Sequence, residues 1–361
     1  MQTQATIDLN AYRENLSKVS EIVSGTDIMA VVKANAYGHG MLPMARAARS
    51  ASIPWLGVAT VTEALALRAA GDTGRIFLMV GGDDLSDAIA ADIDLPVSNL
   101  EQLAAVTAAG KNARVHLKID TGLSRNGSTA EDWPELLEAT KKAPVRIEGV
   151  WSHFSSADNP SDPVNELQEE RFNNALAVAA GLGIEVPIRH LANSAGALLR
   201  EQARFDLVRI GIAGYGLSPA FNVDPTFGLR PVMTLRSTLI NVKTIPAGAG
   251  VSYGHKFVAD KPTKIGLVPV GYGDGIARSS TGAEVFVGGK RAPIIGAVCM
   301  DQFLINLDGI DARIGDEVIL FGPGAEGEPT ANDWAATCGT INYEVITRLG
   351  GRIHRSYLGD E

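Results

Sequence analysis

The feature that most constrains the fold is a regular alternation, over the first two-thirds of the chain, of short apolar runs with segments of helical spacing. Asp8 and either Thr60 or Thr62 are placed to cap helices, and Ser98 precedes a helical segment that closes on Gly110. Eight strands in strict alternation with helices favour a (β/α)8 barrel over a doubly wound sheet. We predict strands near residues 28–33, 55–59, 76–80, 95–97, 115–119, 147–152, 188–191 and 207–210.

The alternation stops near residues 229–233, where the sequence reads LRPVM. Beyond it, β-rich runs follow one another closely, separated by Gly and Pro, and helical spacing is nearly absent until about Ala331. A chain of 361 residues is also long for one core. We therefore predict an α/β barrel over residues 1–230, whose first residues join the second domain, and a mostly antiparallel β domain over residues 231–361.

Composition excludes several classes of partner. The net charge of −9 and the absence of a basic run argue against nucleic acid or an anionic membrane as a partner. The two cysteines, Cys299 and Cys338, form no CxxC motif, so we expect neither a disulfide framework nor a structural metal. The N-terminus has no signal-peptide pattern, which makes the cytoplasm the expected compartment.

The stretch AVVKANAYGHG places Lys33 where an apolar strand runs out, followed by Tyr37 and two glycines. A lysine at a strand end commonly reaches solvent. Held in a pocket instead, its lowered pKa would make it a nucleophile suited to Schiff-base formation with pyridoxal phosphate. Taken alone, the strand-end lysine is the commoner case, and the choice depends on the rest of the sequence.

Other polar residues lie near the ends of predicted strands or, for Tyr253, in the second domain, and each has a plain structural explanation. Ser194 in HLANSAG can bind a phosphate or only cap a helix, and the glycines of RIGIAGYG allow close backbone approach. Arg209 can form a structural ion pair, and His153 can be a satisfied core histidine. Arg125 can clamp a carboxylate or be solvated. Tyr253 in VSYGHKF can be an acid–base group or a packed turn residue.

Together, these stretches resemble the alanine racemase family of fold-type III pyridoxal phosphate enzymes. AVVKANAYGHG matches the cofactor-lysine signature of that family over its whole length. The segments KIDTGLSR, WSHF, HLANSA, VRIGIAGYG, VSYGHKF, GYGDG, CMDQ and INYEV follow in the family's order, so that the resemblance covers essentially the whole chain.

The resemblance implies an isomerase that interconverts L- and D-alanine and supplies D-alanine for peptidoglycan. Lys33 would hold pyridoxal 5′-phosphate and take the proton of D-alanine, and Tyr253 of the other subunit of a homodimer would take that of L-alanine. Arg125 and the partner-supplied Met300 would bind the substrate carboxylate, and Lys118, carbamylated in some members, would steady Arg125. The implied cofactor shell is Tyr37, His153, Ser194, Arg209, Gly211, Ile212 and Tyr343, and the implied entrance is Tyr272, Asp301 and Asp158.

Two alternatives to an alanine-specific enzyme remain at this point. One is a racemase of broader specificity that also accepts serine, and the other is a non-catalytic pyridoxal phosphate protein. The second is disfavoured by Tyr253 and by the β domain, which barrel-only carriers lack. The sequence also departs from the family pattern that the resemblance implies. Ala297 stands where many relatives have an entrance arginine, whose partner in this sequence would be Asp158, and the ending GGRIHRSYLGDE differs from the usual one.

Overall fold

Eight parallel strands form a barrel-like N-terminal domain in the computed structural model, which describes residues 3–82, 84–224, 226–350 and 352–360. An initial strand, β1 (Gln4–Asp8), precedes them. The barrel strands are β2 (Asp27–Val31), β3 (Trp55–Val58), β4 (Arg75–Leu78), β5 (Leu95–Val97), β6 (Ala113–Lys118), β7 (Val145–Trp151), β8 (Ile188–His190) and β9 (Leu207–Ile210). The helical segments are α1 (Leu9–Ile22), α2 (Lys33–Tyr37), α3 (Met41–Ser50), α4 (Val61–Ala69), α5 (Leu85–Ala90), α6 (Leu100–Ala109), α7 (Trp133–Lys142), α8 (Val164–Gly181) and α9 (Ser194–Leu199).

The strands follow one another around the barrel in sequence order. Strands β2 to β4 pair in parallel, as do β5 to β8, and β2 also pairs with β9. A bridge between Phe77 and Asp94 joins β4 to β5. A hydrogen bond of 3.0 Å from the Arg209 N–H to the Ala192 carbonyl joins the last two strands. The barrel predicted from eight alternating units is therefore confirmed, and its strands end at one rim.

Of the three helix N-caps predicted from the sequence, two are found in the structure. The Asp8 side chain accepts from two backbone N–H groups of α1, and Thr60 caps α4. Ser98 does not cap α6, because the cap is Asn99, whose side chain accepts from the Gln102 N–H at 2.8 Å. None of the helices in the described residues is both long and apolar enough to cross a membrane.

The C-terminal domain is a mostly antiparallel sheet, as predicted. Its elements are β10 (Met233–Thr238), β11 (Asn241–Ile245), β12 (Gly250–Val251), β13 (Phe257–Val258), β14 (Thr263–Val268), β15 (Glu284–Val287), β16 (Lys290–Ile295), β17 (Phe303–Asn306), β18 (Glu317–Phe321), α10 (Ala331–Cys338), α11 (Asn342–Thr347) and β19 (His354–Leu358). Strand β1 lies in this sheet, antiparallel to β10 and parallel to β19. The first and last described strands therefore lie side by side in the C-terminal sheet.

Candidate active site

The segment that carries Lys33 is a left-handed turn, which the sequence did not predict. Ala34, Asn35 and Ala36 each have φ near +53°, and Tyr37 has φ of +52°. A left-handed conformation costs about 1–2 kcal/mol for each residue with a side chain. Four such residues in a row persist only where surrounding contacts hold them, and strain of this kind concentrates at functional sites.

The end of the chain supplies part of that support. The Arg355 Nε donates to the Gly38 carbonyl at 2.6 Å, and the Tyr357 hydroxyl donates to the His39 carbonyl at 3.2 Å. Within the turn itself, the Asn35 side chain accepts from the Met41 N–H at 2.9 Å. Strand β19 therefore supports the lysine turn.

A cavity of about 240 Å³ opens where the barrel strands end, and it brings together nine of the predicted site residues. These are Lys33, Tyr37, Arg125, His153, Ser194, Arg209, Gly211, Ile212 and Tyr343. The cavity is also lined by residues that we did not predict, namely Val31, Ala34, Met79, Asn193 and Thr347. Asn193 could have been inferred as the cap of α9, where it accepts from the Gly196 N–H at 3.0 Å.

Arg209 is buried in the wall of this cavity and is held by several acceptors. Its Nη2 donates to the carbonyls of Ser152 and Leu191 at 2.7 and 2.9 Å, and to the His153 Nδ1 at 3.2 Å. Its buried Nε has no hydrogen-bond partner among the residues that the structure describes. Burial and the charge of Arg125 lower the pKa of Arg209 to about 9, so the group stays protonated at neutral pH.

His153 stays neutral beside this guanidinium. Burial, and then the charges of Arg209 and Arg125, lower the pKa of His153 well below its ordinary value. Because its Nδ1 accepts from Arg209, the proton of the neutral ring lies on Nε2. The commoner explanation, a satisfied core histidine, does not apply in full, since the ring lines the cavity.

The cavity carries a surplus of positive charge. Lys33, Arg125 and Arg209 line it, and no Asp or Glu in the described part of the chain does. The pKa of Lys33 is lowered by burial and by the charge of Arg125, against an opposing effect of Glu63. Lys118 is not among the described residues that line the cavity; it is buried, with its Nζ 4.3 Å from the centroid of the Trp151 ring. Such a site suits an anionic ligand and favours a neutral, nucleophilic Lys33 amine.

The cavity is also lined by hydroxyl groups and by closely approaching backbone. The Ser194 hydroxyl accepts from the Gly211 N–H at 2.9 Å. A side chain at Gly211 would put its Cβ 2.4 Å from the Tyr37 hydroxyl, so the close approach there requires glycine. The Tyr37 and Tyr343 rings lie 6.1 Å apart. Hydroxyl groups and backbone N–H groups at a strand-to-helix turn are the groups that bind phosphate.

A buried chain of side chains runs from Arg209 away from the cavity. Arg209 Nη1 donates to the His190 Nδ1 at 3.1 Å, and the His190 Nε2 lies 2.9 Å from the His116 Nδ1. The His116 Nε2 lies 3.4 Å from an oxygen of Asp94. Since the Asp94 carboxylate only accepts, each ring donates from Nε2 and accepts at Nδ1. The chain thus orients Arg209, and sequence reasoning missed it.

Four predicted residues of the C-terminal domain lie elsewhere: of the described residues that line the cavity, none is Tyr253, Tyr272, Met300 or Asp301. Their loops adjoin, since the Tyr272 N–H donates at 3.0 Å to the Cys299 carbonyl, next to Met300. Tyr253 and Met300 are 68% and 53% exposed. The packed-turn explanation of Tyr253 therefore does not hold within one chain.

Two further positions from the sequence analysis, Ala297 and Asp158, lie next to the Tyr253 loop and next to the cavity, respectively. Ser252, beside Tyr253, donates to the carbonyl of Ala297 at 2.6 Å, and the Ala297 side chain is buried. Asp158 lines a neighbouring cavity of about 450 Å³, which shares Tyr343 with the first. The two cavities are thus neighbours, and Asn193 and Tyr343 line both of them.

Comparison with known proteins agrees with this arrangement. Residues 7–219 match the model of the alanine racemase N-terminal domain, and residues 232–357 match that of the C-terminal domain. The alanine racemases of Frankia casuarinae and Thermobifida fusca are 48% and 47% identical to this chain, over 99% of it and over 97% and 98% of their own lengths.

Solved structures give the same result. The crystal structure of alanine racemase from a D-cycloserine-producing Streptomyces lavendulae superposes with a TM-score of 0.96 at 47% identity, covering 99% of this chain and 97% of the other. A Bacillus anthracis alanine racemase with bound L-Ala-P superposes with a TM-score of 0.91 at 34% identity, covering 99% and 95%. The chain therefore belongs to the alanine racemase family and is an isomerase with alanine racemase activity, which confirms the sequence prediction.

Proposed function

We propose that this chain racemises alanine with two bases, the Lys33 amine of one subunit and the Tyr253 phenol of a second copy. The observation that carries the proposal is that the cavity holds one amine and lacks a second usable base among its described residues. Burial raises the pKa of Tyr37 and of Tyr343 above the ordinary value, so both stay protonated. His153 accepts from Arg209 at Nδ1 and has a lowered pKa.

The residues of the cavity fit pyridoxal 5′-phosphate. The Lys33 amine suits its aldehyde, and the unpartnered, buried Nε of Arg209 suits its ring nitrogen. The Ser194 and Tyr37 hydroxyls, with the close backbone at Gly211, suit its phosphate, and we assign Ile212 and Tyr343 to the same shell. When bound, this cofactor supplies an electron sink for negative charge at the α-carbon of the substrate.

Racemisation removes a proton from one face of the α-carbon and returns one to the other face. One base cannot reach both faces, so two are needed. In our proposal, the Lys33 amine removes the α-proton of D-alanine and the Tyr253 phenol returns one to the other face. For L-alanine, the Tyr253 phenolate removes the proton and the Lys33 ammonium returns one. Because Arg209 stays charged, it does not give a proton to the cofactor ring, which keeps the electron sink weak and limits side reactions.

The substrate carboxylate is assigned to Arg125, whose planar fork pairs with a carboxylate, and to the partner subunit's Met300. Lys118 would steady Arg125 from behind. We place Tyr272 and Asp301, together with Asp158 of the second cavity, at the entrance.

The second copy is inferred from exposure. Residues 231–361 present Tyr253, Tyr272 and Met300 on adjoining loops, each more than 40% exposed and none lining the cavity of its own described chain. Exposed aromatic and methionine side chains are enriched at protein interfaces. A homodimer that places these loops over the cavity of its partner would complete both sites. We infer a cytoplasmic enzyme that supplies D-alanine for peptidoglycan.

Hydrogen exchange at the α-carbon tests the assignment of the two bases. In deuterated water, the Tyr253→Phe enzyme should lose racemisation by about 10²-fold or more, yet still wash deuterium into D-alanine, because Lys33 acts on that isomer. Exchange into L-alanine should fall with racemisation. Val258→Ala, an exposed change on the neighbouring strand β13, is the control and should behave as wild type. Equal exchange into both isomers by Tyr253→Phe would contradict the proposal.

A racemisation assay with serine in place of alanine tests the alternative of broader substrate specificity.

A further inference from the structure

The carboxylate of Glu63 connects the lysine turn to the start of helix α4. One oxygen, Oε1, accepts from the Ala34 N–H at 2.7 Å. The other, Oε2, accepts from the Ala59 and Thr60 N–H groups at 2.8 and 3.2 Å. Ala34 directly follows Lys33 in the chain. One side chain therefore ties the residue next to the Lys33 amine to the end of the neighbouring barrel strand.

This contact is made at the point where the backbone is most strained. Ala34 is the first of four consecutive residues with positive φ, and none of the four is glycine. An N–H at the beginning of such a turn has no preceding helical turn to bond with, so an outside acceptor is needed. A carboxylate makes a stronger bond to an N–H than a neutral acceptor does.

Glu63 also supplies negative charge near the Lys33 amine. It opposes the lowering of the Lys33 pKa by burial and by the charges of Arg125 and Arg209. Glu63 does not line the cavity in the described part of the chain, so it acts on the amine through the turn and through its charge.

We propose that Glu63 is a positioning residue for the reaction, which holds the Lys33 amine in place by clamping the Ala34 N–H. The inference rests on the proposed role of Lys33 as the base for D-alanine. Misplacing a reacting group by about 1 Å can cost about 10²-fold in rate, so loss of the clamp has a measurable consequence.

Two variants at the start of helix α4 distinguish loss of the Ala34 contact from a general weakening of that helix. In Glu63→Gln, the amide has one oxygen in place of two. That oxygen accepts best on the side where the Ala59 and Thr60 N–H groups converge, and the NH2 group then faces the Ala34 N–H, so the bond to Ala34 is lost. In Thr60→Ala, the cap of the same helix loses the hydroxyl that accepts from the Glu63 N–H at 3.2 Å, while the contact with Ala34 remains. Both changes weaken helix α4, but only Glu63→Gln breaks the clamp.

Hydrogen exchange in the apoenzyme measures the clamp directly. Exchange at the Ala34 amide should accelerate by about tenfold or more in Glu63→Gln and stay within about twofold of wild type in Thr60→Ala. Equal acceleration in both variants, or none in Glu63→Gln, would overturn the inference.

In the holoenzyme, kcat/KM and the α-deuterium isotope effect measure how far loss of the Glu63 contact slows proton transfer by Lys33. In Glu63→Gln, kcat/KM should fall about 10- to 100-fold in both directions, as the equilibrium requires. The α-deuterium isotope effect should rise for D-alanine and not for L-alanine. A rise for both isomers, or wild-type values, would overturn the inference. If Lys33 were not the base, Lys33→Ala would still exchange the α-proton of D-alanine, and that separate result would count against the proposed function instead.

Discussion

Replacing Asp94 by asparagine would remove the one carboxylate that ends the buried chain behind Arg209. Asp94 is fully buried, and it accepts N–H bonds from Arg75, Arg114 and His116. Burial alone would raise the pKa of Asp94, but these bonds hold it well below the ordinary value of 3.8. The carboxylate is therefore charged in the folded protein at every physiological pH.

The expected loss of folding stability in Asp94→Asn depends on the partners that Arg75 and Arg114 keep. Removing one member of a buried ion pair typically costs about 3–5 kcal/mol. Arg75 keeps a bond of 2.9 Å to Glu148, and Arg114 keeps Asp92, so we expect the lower end, about 3 kcal/mol. For a domain of this size, the thermal midpoint should then fall by about 6–12 °C.

Thermal denaturation of two single variants, Asp94→Asn and Asp92→Asn, tests this reasoning by comparison of their midpoints. Asp92 pairs with the same Arg114, but its side chain is 72% exposed, so its loss should lower the midpoint by less than about 3 °C. Since the folded-state pKa of Asp94 is depressed, its contribution is complete above pH 3.8 and is lost as the pH falls below that value. Equal effects of the two variants at pH 7 would refute the argument.

Two further changes act nearer the cavity. Gly211→Ala should weaken pyridoxal phosphate binding to the apoenzyme about tenfold or more in a spectroscopic titration, because its Cβ would meet the Tyr37 hydroxyl; Gly181→Ala, which meets nothing within 4 Å, is the control. Burial, and then the charges of neighbouring arginines, lower the pKa of Lys118 to about 8, so its protonated form destabilises the fold. In carbonate-free buffer, Lys118→Met should raise the thermal midpoint at pH 7 and progressively less as the pH rises from 8 to about 10, where the folded wild-type amine is neutral; a pH-independent gain would contradict this.

The positions of the strand ends could be predicted, because parallel barrel strands are short apolar runs and their final residues face one rim. Lys33 and Ser194 follow such runs, Arg209 lies within the last of them, and the cavity brings the three together. The motifs that contain them indicated the family. Their roles in catalysis remain predictions.

The left-handed turn after Lys33 could not be predicted from its composition. Alanine disfavours positive φ, and neither Ala34 nor Ala36 has any local reason to adopt it. The conformation depends on contacts with segments far away in sequence, from Glu63 and from Arg355. Tertiary contacts of this kind leave no local signal.

The chain from His190 through His116 to Asp94 was missed for a related reason. Asp94 precedes β5, His116 lies in β6 and His190 lies in β8, so that the three residues are far apart in sequence. Each looks like an ordinary residue of its own segment, and the contacts between them exist only in the folded barrel. The cap at Asn99 was missed because Ser98, one residue earlier, is an equally good cap by type. The exact residue at which a helix begins depends on the backbone geometry at that residue, which residue type alone does not show.

Mixing of two inactive variants tests the central claim, that each site takes its amine from one subunit and its phenol from the other. Lys33→Ala and Tyr253→Phe enzymes should each be nearly inactive. After their subunits are exchanged at equal concentrations, half of the dimers should carry one intact site, which predicts recovery of about a quarter of the wild-type activity. No recovery, with mixed dimers present, would contradict the account.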